Sequence, residues 1–112
     1  MIITKSDPFT KEEIEKLQEA HGTYIKAVID LQKKICSAGP VQHRDSYTLL
    51  LNDGSEHADV WGGGMNRETK EITCTSMINI RPVEGNISNE IENKETRQNY
   101  EDLLKYFFQE IL

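Results

Sequence analysis

Tyr100, Leu103, Leu104, Phe107, Phe108 and Ile111 recur at intervals of three and four, which places six large apolar side chains on one broad helical stripe near the C-terminus. A stripe this wide must be covered, and a sheet is the surface that fits it. Asn93 has the chemistry of an N-cap for this helix. The residues upstream must therefore supply strands.

At 112 residues the chain reads as a single domain, 1–112, with one core. Met1 to Thr4 is a short strand candidate, and Ser6-Asp7-Pro8 breaks it. Thr10-Lys11-Glu12-Glu13 is a capping box, Phe9 and Ile14 have the spacing of a hydrophobic staple, and Leu17 and His21 continue that helical face to a stop at Gly22. From Tyr24 to Ala38 both periods fit, but the β-branched content favours strands at Tyr24 to Leu31 and Ile35 to Ala38, turning at Gln32-Lys33-Lys34. Asp45 reads as the N-cap of a short helix carrying Leu49, Leu50 and Leu51, with Gly54 beyond its end. Asp59 to Met65 and Ile72 to Ile80 form a hairpin around Asn66 to Lys70. A four-residue loop would set Trp61 opposite Ser76, whereas one residue more or less would bring it beside Met77 and Asn79. The predicted order is β-α-β-β-α-β-β-α, an α+β fold in which the long C-terminal helix packs on a mostly antiparallel sheet.

The second strand of that hairpin carries the candidate site. Ile72, Cys74, Ser76, Ile78 and Ile80 alternate with Thr73, Thr75, Met77, Asn79 and Arg81, so Met77, Asn79 and Arg81 are expected in a row above the sheet. Pro82 ends the pairing, Gly85 and Asn86 suit a turn, and Ser88 and Asn89 add donors and acceptors. A guanidinium beside neutral amides can hold a carboxylate or phosphate at two points, which makes Asn79, Arg81, Asn86, Ser88 and Trp61 the candidate ligand-binding residues. The competing role for Arg81 is structural, satisfying carbonyls of its own loop or pairing with Glu84 or with a carboxylate of the C-terminal helix.

Composition narrows the function classes. Thirteen basic and nineteen acidic residues give a net charge of −6, with no basic cluster beyond Lys33-Lys34, so nucleic acid is an unfavourable partner. The chain opens without a leader pattern and has no long apolar run, so a cytoplasmic location away from the membrane is expected. Cys36 and Cys74 sit singly in apolar segments and read as buried thiols. No closed set of Cys and His ligands is present, so neither a structural metal nor a cofactor is expected. Two His-x-Asp pairs, His43 with Asp45 and His57 with Asp59, would suit a divalent ion only if they met in space. Gly62-Gly63-Gly64 lacks the Lys-Ser or Lys-Thr of a phosphate loop, and close approach of another backbone to the strand explains it more economically. Ser76 has no nucleophile-elbow turn around it.

Lys26-Ala27-Val28-Ile29-Asp30, His43-Arg44-Asp45, Leu49-Leu50-Leu51 with Gly54-Ser55, Asp59-Val60-Trp61-Gly62, and above all Ser76 to Pro82 with Gly85-Asn86 and Ser88, together resemble a family of short uncharacterised prokaryotic proteins, domain of unknown function 5674. The similarity covers nearly the whole chain and departs from the family pattern at Gly63-Gly64-Met65 and at Ile87. It implies strands over Tyr24 to Ala38, but neither a reaction nor a ligand. The leading expectation is a small binding or interaction domain for an anionic ligand or a protein partner, centred on Asn79, Arg81 and Asn86. The alternatives are a hydrolytic, metal-assisted enzyme using His43, Asp45, Asp59 and Arg81, and a homodimer built on Trp61 and Met77.

Overall fold

A computed structural model describes residues 1–18 and 23–112. Its elements are β1 (Ile3–Lys5), α1 (Lys11–Gln18), β2 (Tyr24–Asp30), β3 (Ile35–Ala38), α2 (His43–Asn52), β4 (Val60–Asn66), β5 (Ile72–Thr73) and α3 (Lys94–Phe107), which is the expected α+β order. The capping box of α1 closes in both directions, with Glu13 N donating to Thr10 Oγ1 at 3.2 Å and Thr10 N to Glu13 Oε1 at 2.9 Å. The expected continuation through His21 to Gly22 lies outside the described residues. Asn93 caps α3 by accepting from Thr96 N at 2.9 Å. For α2 the cap is Gln42 instead of Asp45. Asp45 stands a turn further in, where its carboxylate accepts from Gln42 N at 3.3 Å and faces the positive end of the helix.

All strand pairs are antiparallel, in the order β1-β3-β2-β4-β5. Central β2 pairs β4 along its whole length, from Tyr24 opposite Asn66 to Asp30 opposite Val60. The β2–β3 turn is held by Asp30, whose Oδ1 accepts from Gln32 N and Lys33 N at 2.9 and 2.8 Å.

Alternation along β2 sends Ile25, Ala27 and Ile29 to one face, where they meet Phe9, Ile14 and Leu17 from the α1 region and Tyr100, Leu104, Phe107 and Phe108 from the α3 region. Val28 points to the other face, against Leu50 of α2 and Val60. Helices therefore cover both sides of the sheet. The glycine run in β4 serves close approach: a Cβ on Gly63 would lie 2.8 Å from the Tyr100 hydroxyl, and one on Gly62 would lie 2.8 Å from Ser76 Cβ. The Tyr100 hydroxyl, admitted by Gly63, donates to Ala27 O at 2.8 Å in the middle of the sheet.

The expected strand from Ile72 to Ile80 is shortened. The hairpin has the register of the four-residue loop, Met65 opposite Ile72 and Gly64 opposite Thr73, but the ladder stops there. Thr75 bridges Glu90 and Met77–Asn79 forms a 3-10 turn. The cause is a side chain that takes the place of a strand. The amide of Asn79 accepts from Gly62 N and donates to Gly62 O, both at 2.9 Å, occupying the backbone groups that further pairing along β4 would need. Met77, Asn79 and Arg81 therefore do not form a row, and the strand partner of Trp61 is Ile29 on β2.

Candidate functional site

The three polar residues expected to converge do so, but inward. Asn79 is fully buried, and besides Gly62 it donates to Asn89 O at 3.1 Å. Arg81, only 3% exposed, donates to His57 O and Val60 O at 2.8 Å and to Ile78 O at 2.9 Å, while its Cζ lies 3.8 Å from the centre of the Trp61 ring. Asn86 donates to Asn79 O, Ser88 O and Glu90 O at 2.7 to 3.0 Å and accepts from Glu92 N at 3.0 Å. Burial lowers the pKa of Arg81, and the nearby Glu84 carboxylate opposes that shift. Among the described residues no carboxylate lies within ion-pair distance of this guanidinium. The charge is held by carbonyl dipoles and an aromatic face.

These bonds fix the path of residues 76–92. Arg81 and Asn86 form an antiparallel bridge around a tight turn, Pro82–Glu84 with Gly85 at φ 89. The partly buried Trp61 and the buried Asn86 line a groove of about 450 Å³ together with Glu84 and Glu92. Its formal charge is acidic. Ser88 stands beside it, its hydroxyl donating to Glu92 Oε2 at 2.7 Å. Ser88 and its backbone amide hold the Glu92 carboxylate below the usual value.

The basic counterpart lies at the other end of the segment. A cleft of about 460 Å³ is lined by Lys26 from β2, Gln42, His43 and Arg44 at the start of α2, and Ser76, Met77 and Ile78. Lys26 is on the face of β2 that α2 covers, and its ammonium donates to Val41 O at 2.8 Å. His43 Nε2 lies 2.7 Å from Gly63 O, and because a carbonyl only accepts, this nitrogen carries the proton. Arg44 is exposed and reaches Gln42 Oε1 at 3.3 Å. Among the described residues no acidic one lines this cleft. Lys26 and Arg44 escaped the sequence reading because they are distant in the chain and meet only through the packing of α2 on β2.

The His-x-Asp pairs do not assemble a centre. His57 places Nδ1 2.9 Å from the Tyr47 hydroxyl and Nε2 2.9 Å from Glu84 Oε2, whereas His43 belongs to the basic cleft. Among the described residues no group of three His, Cys, Asp or Glu could hold a metal ion. Neither cleft is lined by Asp59 or by Arg81. Both cysteines are buried and free, and burial pushes the Cys74 thiol up to about 11. No helix among the described residues is long and apolar enough to cross a membrane.

No curated protein and no solved structure matches this chain. The family described as "Protein of unknown function (DUF5674)" matches residues 1–107, spanning both clefts and the buried Asn79, Arg81 and Asn86, and the chain belongs to that family.

Proposed function

We propose that the protein is a small cytoplasmic binding domain whose cleft between β2 and the start of α2 receives the anionic group of a small ligand. Lys26 and Arg44 supply the charge, the His43 ring one edge, and Met77 with Ile78 an apolar wall. The carrying observation is that a chain of net charge −6 brings two cationic side chains to one cleft without an acidic lining residue among the described ones. Asn79, Arg81 and Asn86 serve this reading indirectly: their bonds fix the loop from which Ser76, Met77 and Ile78 project. The apolar wall favours a carboxylate or phosphate carried on an apolar body over a bare ion.

A thermal-shift series of carboxylates and phosphates graded by apolar size tests the proposal. A ligand at a hundred times its Kd stabilises the folded state by about 2.7 kcal/mol. The expected result is a melting shift that grows with apolar size and disappears in Arg44→Ala and Lys26→Ala proteins. Equal shifts in wild type and both variants, or none across the series, would overturn it.

A further inference from the structure

The 77–87 segment exposes more apolar surface than its contacts inside the molecule account for. Met77 is 76% exposed, Val83 101% and Ile87 73%, and Ile80 is also exposed. The bridge between Arg81 and Asn86 explains how these side chains gather. Those two residues point into the protein, so their neighbours Ile80 and Ile87, adjacent across the bridge, point outward together, with Val83 at the tip of the turn between them. A patch of this kind on a small domain marks a contact surface.

Charge tells what covers it. The start of the segment lines the basic cleft with Lys26 and Arg44, and its far end lines the acidic groove with Glu84 and Glu92. An apolar crest with opposite charges at its two ends is self-complementary under a twofold rotation, because the basic end of one copy then meets the acidic end of the other. We infer that residues 77–87 are the centre of a homodimer interface, Ile80, Val83 and Ile87 packing on the same residues of a second copy while Arg44 and Lys26 face the second copy's Glu84 and Glu92. A stable interface buries roughly 800 Å² on each partner, more than four side chains supply, so the charged ends have to take part. The inference uses the charge of the cleft but not the proposed ligand; because both draw on Lys26 and Arg44, ligand and second copy compete for the cleft, and the dimer is read by a different measurement.

Sedimentation velocity over a concentration series tests it. Wild type should run as a dimer that dissociates on dilution, and Val83→Asp, at a fully exposed position that carries no burden of folding, should run as a monomer whose melting temperature is independent of concentration and equals that of wild type diluted to monomer. Arg44→Glu and Glu84→Arg should each be monomeric alone. Mixed in equal amounts they should dimerise with each other, because in the mixed pair both ends again join opposite charges. A wild-type monomer up to the solubility limit, a Val83→Asp dimer, or a mixture that stays monomeric would each overturn the inference. A monomer that still shows the Arg44-dependent ligand shift would remove the dimer and leave the binding reading intact.

Discussion

Under α3 the rings of Phe9 and Phe108 lie 5.2 Å apart and those of Phe9 and Phe107 6.0 Å apart, in an interior built almost wholly from apolar side chains. Under residues 76–92 the interior consists of Asn79, Arg81 and Asn86 bonded to backbone groups of Val60, Gly62, Ile78 and Glu90. Both regions exclude water, but the first does so through area, which is non-directional and shared among many neighbours. The second depends on a few donors, each of which leaves its partners stranded if removed. An apolar interior should therefore lose stability in proportion to volume, and a polar one in proportion to the acceptors abandoned.

The largest single effect is expected on the apolar side. Phe107 is fully buried, and Phe107→Ala should cost about 3 to 5 kcal/mol through lost transfer energy and the cavity left behind. Urea unfolding at fixed pH gives the value from the shift in midpoint. Truncation before Tyr100 should abolish cooperative unfolding, since it strips Tyr100, Leu104, Phe107 and Phe108 from the core they share with Phe9, Ile14 and Leu17. A truncated chain that still unfolds cooperatively would mean that α3 is an accessory to this core.

Next comes Arg81→Gln, which abandons the carbonyls of His57, Val60 and Ile78 and uncovers the Trp61 ring. The expected loss is roughly 2 to 4 kcal/mol, close to that of Phe107→Ala despite the much smaller apolar area involved. The Arg44-dependent ligand shift should be weakened but not abolished, because Arg81 holds Ile78 at the cleft wall without lining the cleft itself. A loss under 1 kcal/mol would break the comparison, for it would show that the three carbonyls find other donors and that Arg81 is available for a ligand.

The same division decides what could be read from the sequence. Tyr100, Leu104 and Phe107 on α3 announce themselves by period, because burial of one face repeats at the spacing of the element, whereas on β2 both periods fit and the β-branched residues decide for a strand whose Ile25, Ala27 and Ile29 face the core. The caps at Thr10 and Asn93 were legible for a related reason, each being a local bond between residues three apart. In 76–92 the bonds that tie the segment to β4 and to His57 join residues far apart, so alternation from Ile72 to Ile80 suggests a strand that the Asn79 amide in fact displaces from Gly62. Arg81, Asn86 and the Asn79 amide were recognisable as a convergent polar group, yet nothing in the spacing says that they face carbonyls inside instead of a ligand outside. Lys26 and Arg44 stand in motifs shared with the family but carry no sign of a common cleft, since each alone is an ordinary surface cation.

The smallest expected effect isolates the backbone of the polar region from its side chains. Gly85 closes the turn between Arg81 and Asn86 at φ 89, and a Cβ built there meets nothing within 4 Å. Packing therefore cannot penalise a substitution, and only the left-handed conformation can. Gly85→Ala should cost about 1 kcal/mol, and Gly85→Asn less, because a short amide side chain tolerates this region better than a methyl group does. Paired urea curves would resolve the difference between the two variants. An Ala variant as stable as wild type would mean that the turn relaxes to another conformation while the Arg81–Asn86 bridge stays closed, and the rigidity ascribed to the polar interior would then end at Asn86 short of the exposed tip. A loss well above that expected from φ alone would mean the reverse: the strained turn is coupled to the bonds beneath it, and displacing its backbone also releases the amide of Asn86 from Asn79, Ser88 and Glu90.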